Sequence, residues 1–272
     1  MKKFVSVLLA VLLLAASTAM AAETVKIGAS LVPHAEILEF IKPIMAEKGF
    51  DLEIVPFTDY ILPNLNVDSG DLDANYFQHT NYLFEFNKEN GTNLVPVIPV
   101  HYEPMAAYKG KTKSLEDLKD GATIGVPNDT SNEARALLLL EEMGLIELDP
   151  DAGVSATKLS ITKNDKNLEI VEVQAELLPQ MLNDFDLAVI NGNYAMQAGL
   201  SLIEDAVGGE DNEALGYAGR VNYIVVNAGN EDAPFVEALR EALNDQRTID
   251  FMTEKYQGAT VLALDAEIPQ PE

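Results

Sequence analysis

The sequence predicts an α/β protein of two lobes joined by two crossover strands. Three observations carry that expectation. Strand-like and helix-like segments alternate from Thr24 onward, the pattern of a parallel sheet covered by helices. Composition breaks fall near residues 100–109 and 216–220. From Val221 the strand and helix character resumes, as though the chain returns to the unit it left. The expected division is residues 1–21 as a leader, 22–104 plus 221–272 as the first lobe, and 105–220 as the second.

The leader is read from its three parts. Lys2 and Lys3 give a short positive start, residues 4–16 are almost unbroken Val, Leu and Ala, and Ala19-Met20-Ala21 supplies an A-x-A cleavage pattern. An apolar run of roughly 13 residues falls short of the ~20 that a membrane-spanning helix needs. Cleavage is therefore expected between Ala21 and Ala22, with release into the periplasm. No cysteine stands in the sequence to take a lipid, so a free rather than anchored mature protein is expected.

The elements follow in order. Residues 24–31 alternate and are β-branched at first, so they read as a strand. Residues 35–48 carry Ile37, Leu38, Ile41, Ile44 and Met45 at helical spacing and stop at Gly49. With a strand at 52–57 they make a βαβ unit, which favours a parallel pair with a right-handed crossover. A helix at 61–69, a strand at 72–77, a helix at 82–90 and a strand at 94–100 complete this stretch. Ser114 to Asp117 suggest a short capped helix. A strand at 122–126 and a polar turn at 127–132 lead into a helix at 133–143; Gly125 in that strand reads as turn chemistry. A strand at 168–173, a helix at 176–182, a buried strand at 187–190 and a short helix at 193–199 follow. Residues 221–226 read as a strand, 233–243 and 245–256 as helices, and the tail after Asp265 as loose.

Composition excludes whole classes of function. Acidic residues outnumber basic ones 44 to 18, a formal charge of −26, which repels nucleic acid and anionic bilayers. The absence of cysteine removes disulfides, thiolate-held metals and thiol nucleophiles, and three histidines leave little for a metal site. No G-x-S-x-G, H-E-x-x-H, Walker A or G-x-G-x-x-G pattern occurs, so neither catalysis nor a cofactor is expected.

The informative residues are polar and aromatic groups at expected strand ends. Tyr60 follows the second strand, and Phe77 and His79 lie in Asn75-Tyr76-Phe77-Gln78-His79, three aromatic rings in five residues. Asn132 and Arg135 stand where a polar loop enters a helix, with Arg135 expected in its first turn. Asn193 follows the buried strand, and Asn222 opens the strand after the second break. Taken singly, aromatics after a strand cap cores and loop asparagines make turns. Their joint placement, aromatics from one lobe and Arg and Asn from the other, suits a cleft at the carboxyl ends of strands. A guanidinium grips a carboxylate, an amide oxygen accepts from an ammonium, and aromatic walls favour a polarizable thioether.

The runs VKIGAS, FTDYILPN, LDANYFQHTNYL, FNKENG, SLEDLKDGATIGVPNDTSNEARAL and AVINGNYA resemble the NlpA/MetQ family of methionine-binding proteins. The resemblance spans nearly the whole mature chain. It implies a type II periplasmic-binding fold, a monomeric receptor for L-methionine and an ABC transporter permease as partner. It further implies that Arg135 holds the ligand carboxylate and that Asn193 and Asn222 hold the amino group. Tyr60, Phe77 and His79 would line the side-chain pocket, with Tyr82 and Asn132 as neighbours. The chain departs from the family pattern in lacking the lipobox cysteine, in Asn81 where proline is common, and in Gly192 where threonine is common. The last two border the expected pocket. D-methionine, a methionine-containing dipeptide or another apolar amino acid are the alternative ligands, and a periplasmic enzyme with His79 as base is the remote one.

Overall fold

A computed structural model describes residues 22–211 and 217–270. The leader and part of the second break lie outside the described residues. Two sheets organise the chain. β1 (Glu23–Ser30) and β2 (Phe50–Phe57) run parallel in register from Glu23 against Phe50 to Ser30 against Phe57, joined by α1 (Glu36–Glu47). The five apolar residues expected on the inner face of α1 are all buried. Gly49 ends this helix at φ +90°, a conformation that costs any side-chain-bearing residue strain.

α2 (Leu62–Ser69) leads to β3 (Ala74–His79), which pairs with β1 in parallel, and α3 (Thr80–Asn90) leads to β4 (Leu94–Tyr102). Strand β4 then leaves this sheet, and three residues later β5 (Ala106–Lys109) joins the other. There it meets β6 (Thr123–Pro127), β9 (Glu169–Val173), β10 (Leu187–Ile190) and β11 (Ala206–Gly209), in the order β11-β5-β10-β6-β9. Between β6 and β9 come α4 (Thr130–Glu142) and a small ladder of β7 (Glu147–Leu148) with β8 (Ile161–Lys163); α5 (Gly192–Gln197) follows β10. The return passes through α6 (Tyr217–Arg220) into β12 (Val221–Asn227). Helices α7 (Pro234–Leu243) and α8 (Gln246–Tyr256) and strand β13 (Val261–Leu262) finish the first lobe, whose sheet order is β13-β4-β12-β3-β1-β2.

Each sheet is buried on both faces. In β10, Leu187 and Val189 pack with Ile124, Leu137 and Leu140, whereas Ala188 and Ile190 pack with Tyr108, Phe185 and Tyr194. That two-residue period is why four consecutive apolar residues form a central strand. Among the described residues no helix is long and apolar enough to cross a membrane.

Several local expectations are corrected. Ser114 Oγ accepts from the Asp117 amide at 3.3 Å, but the segment closes only a turn, not a helix. The expected helix at 176–182 is instead two 3-10 turns, Ala175–Leu177 and Leu182–Asp184. Pro179 lies between them, where it has no N–H to give and clashes with the preceding turn. Helix α4 begins at Thr130, three residues early, because Asp129 caps it by accepting from the Asn132 amide at 3.0 Å. Gly125 is no turn residue: it lies inside β6, and a Cβ there would stand 2.8 Å from the Phe185 ring. The tail is tied down, since the Tyr223 hydroxyl donates to the Glu267 carbonyl at 2.8 Å.

Candidate ligand-binding site

Where the two sheets face each other, side chains from both line a partly enclosed cavity. All eight residues singled out from the sequence line it. Tyr60, on the loop after β2, Phe77 and His79 on β3, Tyr82 on α3 and Asn222 on β12 come from the first lobe. Asn132 and Arg135 on α4 and Asn193 on α5 come from the second. Strand register does part of this work: Asn222 pairs with His79 of β3 on one side and His101 of β4 on the other.

One end of the cavity is aromatic. The Tyr60 ring lies 5.6 Å from both Phe77 and Tyr82, and these two stand 6.0 Å apart, edge to face. Tyr194 of the second lobe stacks on Tyr60 at 4.8 Å, so this ring is shared between lobes. Hydrogen bonds also bridge the lobes. Tyr60 Oη donates to Asn193 Oδ1 at 2.5 Å, and Tyr194 Oη donates to the Thr58 carbonyl at 3.0 Å.

His79 belongs to this bridge and is neutral. Its Nδ1 accepts the Tyr82 amide at 3.1 Å as the cap of α3, so the proton sits on Nε2, which donates to Asn132 Oδ1 at 3.1 Å. Burial and the nearby Arg135 charge push its pKa down to about 3. Asn132 is itself fixed by Asp129, whose two carboxylate oxygens each accept from Nδ2 at 3.0 Å.

The other end is charged. Arg135 sits in the second turn of α4 rather than the first, which relieves the expected conflict with the helix dipole. Its Nε donates to Glu210 Oε1 at 2.8 Å, and its Nη2 donates to Glu210 Oε2 at 2.6 Å and to the Glu103 carbonyl at 2.8 Å. Glu210 also accepts from Tyr102 Oη at 2.6 Å and the Met105 amide at 2.9 Å, and pairs with Arg220 at 2.7 Å. Burial works to raise the Glu210 carboxyl, but the Arg135 charge overrides it and holds the pKa at about 2. Two guanidiniums share the one Glu210 carboxylate.

Gly192, expected to border the pocket, lines the cavity, and so do Gln78, Glu103 and Asn191, which sequence reasoning did not assign to it. Glu103 obeys the rule that selected the others, since it follows the carboxyl end of β4; the compositional break hid it. Its Oε1 lies 2.7 Å from His101 Nε2 and 3.4 Å from His34 Nε2. His34 Nε2 is also 3.2 Å from Asn222 Oδ1, and the Tyr76 hydroxyl lies against His101 Nδ1. Burial pushes the His34 pKa down to about 4 and that of His101 to about 3, and it raises Glu103. Among the described residues, Asn191 Oδ1, Asn193 Nδ2 and His34 Nδ1 are buried polar atoms without a hydrogen-bond partner.

The comparisons with known proteins agree with this architecture. The sequence pattern of the NlpA lipoprotein family matches residues 25–264. The D-methionine-binding lipoprotein MetQ of Salmonella typhimurium is 40% identical over 240 residues, 87% of each chain. A lipoprotein of Ruminococcus gnavus superimposes with a TM-score of 0.87 at 44% identity, covering 89% of this chain and all (100%) of that one. A nutrient-binding protein of Burkholderia cenocepacia, solved bound to methionine, gives a TM-score of 0.84 at 39% identity, covering 88% of this chain and 99% of its own. The fold is the two-lobe type II periplasmic-binding architecture, and the chain belongs to the NlpA lipoprotein family.

Proposed function

We propose that this protein is an exported solute receptor that captures L-methionine and delivers it to an ABC transporter permease. In this reading the lobes are residues 22–104 with 221–272 and residues 105–220, and they close around the ligand. The observation that carries the reading is the polarity of the one cavity that gathers all eight residues. A box of Tyr60, Phe77 and Tyr82 shares it with the Arg135 guanidinium, and Asn191 and Asn193 each bring an unpartnered polar atom to the same wall. An amphiphilic amino acid matches both kinds of group at once.

The thioether lies among the rings, which suits its polarizability. Arg135 turns its Nε–Nη2 edge to Glu210, so the ligand carboxylate takes the N–H groups that remain, together with Asn193 Nδ2. Closure excludes water and strengthens that ion pair. Relatives named for methionine support the ligand class, and those named for D-methionine make the enantiomer the second reading.

In the same reading residues 1–21 are a cleaved leader, and the mature protein works in the periplasm as a monomer. Isothermal titration calorimetry against L-methionine, D-methionine, methionyl dipeptides and leucine tests the reading. L-methionine binding most tightly is the expected result, and a protein that binds none of them sinks it.

A further inference from the structure

Glu103 is the one carboxylate lining a cavity whose one cation is Arg135, among the described residues. The two are tied together, because Arg135 Nη2 donates to the Glu103 backbone carbonyl at 2.8 Å. They therefore neighbour each other in the wall of the same pocket. Arg135 and Arg220 both pair with the Glu210 carboxylate, and Glu103 brings a second carboxyl group to the pocket wall beside Arg135. A zwitterion entering the pocket then meets a guanidinium for its carboxylate and a carboxylate for its ammonium.

Among the neutral acceptors Asn191 Oδ1 is buried and unpartnered in the same pocket, but an amide oxygen supplies no counter-charge. Asn193 Oδ1 already accepts from Tyr60 and Asn222 Oδ1 lies against His34 Nε2, while the free atom of Asn193 is the donor Nδ2. A buried ammonium needs a counter-charge rather than a lone amide oxygen. Everything that touches the Glu103 carboxylate is a donor: His101 Nε2, His34 Nε2 and the Asn193 amide. Neutral imidazoles orient the anion without cancelling it.

Space for that carboxylate comes from Gly192. A Cβ at this position would stand 2.7 Å from Glu103 Cβ and 3.4 Å from its Oε2, closer than the first pair of atoms can approach. The glycine is thus coupled to the glutamate.

We propose that Glu103 reads the α-ammonium of the ligand and that Gly192 admits it, which restricts the site to amino acids with a free amino group. This rests on the methionine reading above. The test titrates wild type, Glu103→Gln and Gly192→Ala with L-methionine and with its desamino analogue, which keeps carboxylate and thioether. Wild type prefers L-methionine, and Glu103→Gln weakens L-methionine about 100-fold while moving the desamino analogue less than about threefold, as expected for a lost buried charge pair. Gly192→Ala shows the same asymmetry at smaller size, and it carries the test if Glu103→Gln fails to fold. Equal loss for both ligands, or no loss for either, overturns the assignment. A wild-type protein that binds no L-methionine sinks the parent reading instead, so the two failures are distinct.

Discussion

Arg135 and Glu210 face each other through two parallel hydrogen bonds of 2.8 and 2.6 Å, so the expected ligand anchor already has a protein carboxylate on one edge. Glu210 reaches Tyr102 at the end of β4 and the Met105 amide in the first crossing, and it pairs with Arg220 in the second. Arg135→Ala is expected to weaken methionine binding by about 3–5 kcal/mol, the usual cost of stripping one partner from a buried ion pair. The same variant leaves Glu210 with one guanidinium, so urea denaturation is expected to show lost stability as well. Calorimetry giving wild-type affinity would remove Arg135 from the site.

Tyr60→Phe deletes one hydroxyl and keeps the ring. The lost bond to Asn193 Oδ1 spans the lobes, and a net hydrogen bond is worth about 0.5–1.5 kcal/mol. Methionine affinity should fall by roughly threefold to tenfold. Small-angle scattering of the ligand-free variant should show a larger radius of gyration than wild type.

His79 makes stability depend on acid. Its folded pKa is pushed down to about 3 while an unfolded histidine titrates near 6.5, so the unfolded chain takes the proton first. The stabilisation is complete above about pH 6.5 and is lost as pH falls towards 3, at about 2 kcal/mol by pH 5. His34 and His101 act in the same direction; Glu103, raised by burial, acts against them. His79→Asn keeps a residue able to cap α3 and removes the titration. Urea unfolding between pH 7 and 5 should show a shallower decline for the variant, and parallel declines would mean that folding leaves the His79 pKa unshifted.

Gly125→Ala tests the second core. The added methyl meets Phe185 at 2.8 Å and Leu178 at 3.0 Å, and overpacking of this kind costs about 1–3 kcal/mol. A lowered melting temperature with methionine affinity retained is the expected pair of results.

Most of the frame was readable in the sequence because both sheets are built from short, strongly patterned strands. The helix stops at Gly49, Gly70 and Gly91 all take left-handed backbone angles, as their place after apolar periodic runs implied. What escaped notice was decided by partners distant in sequence. Strand β5 (Ala106–Lys109) is four residues long and exists because β10 and β11 flank it; β11 ends in two glycines that carry no strand preference. In the site, the eight residues found by motif and strand-end position share one cavity. Glu210 was lost among 44 acidic residues, since nothing local marks it as a carboxylate that will be buried, and Glu103 went unread at its strand end because it stands in the compositional break.

The position of β12 has a consequence for biogenesis. It fills the slot between β4 and β3, so until residue 227 has been made the outer half of the molecule is a lone β4 beside a separate β3-β1-β2 sheet. The inner half has all its strands by residue 209 and can mature first. Assembly thus runs from the middle of the polypeptide outward, and the cleft between the two sheets is the last thing to come into being.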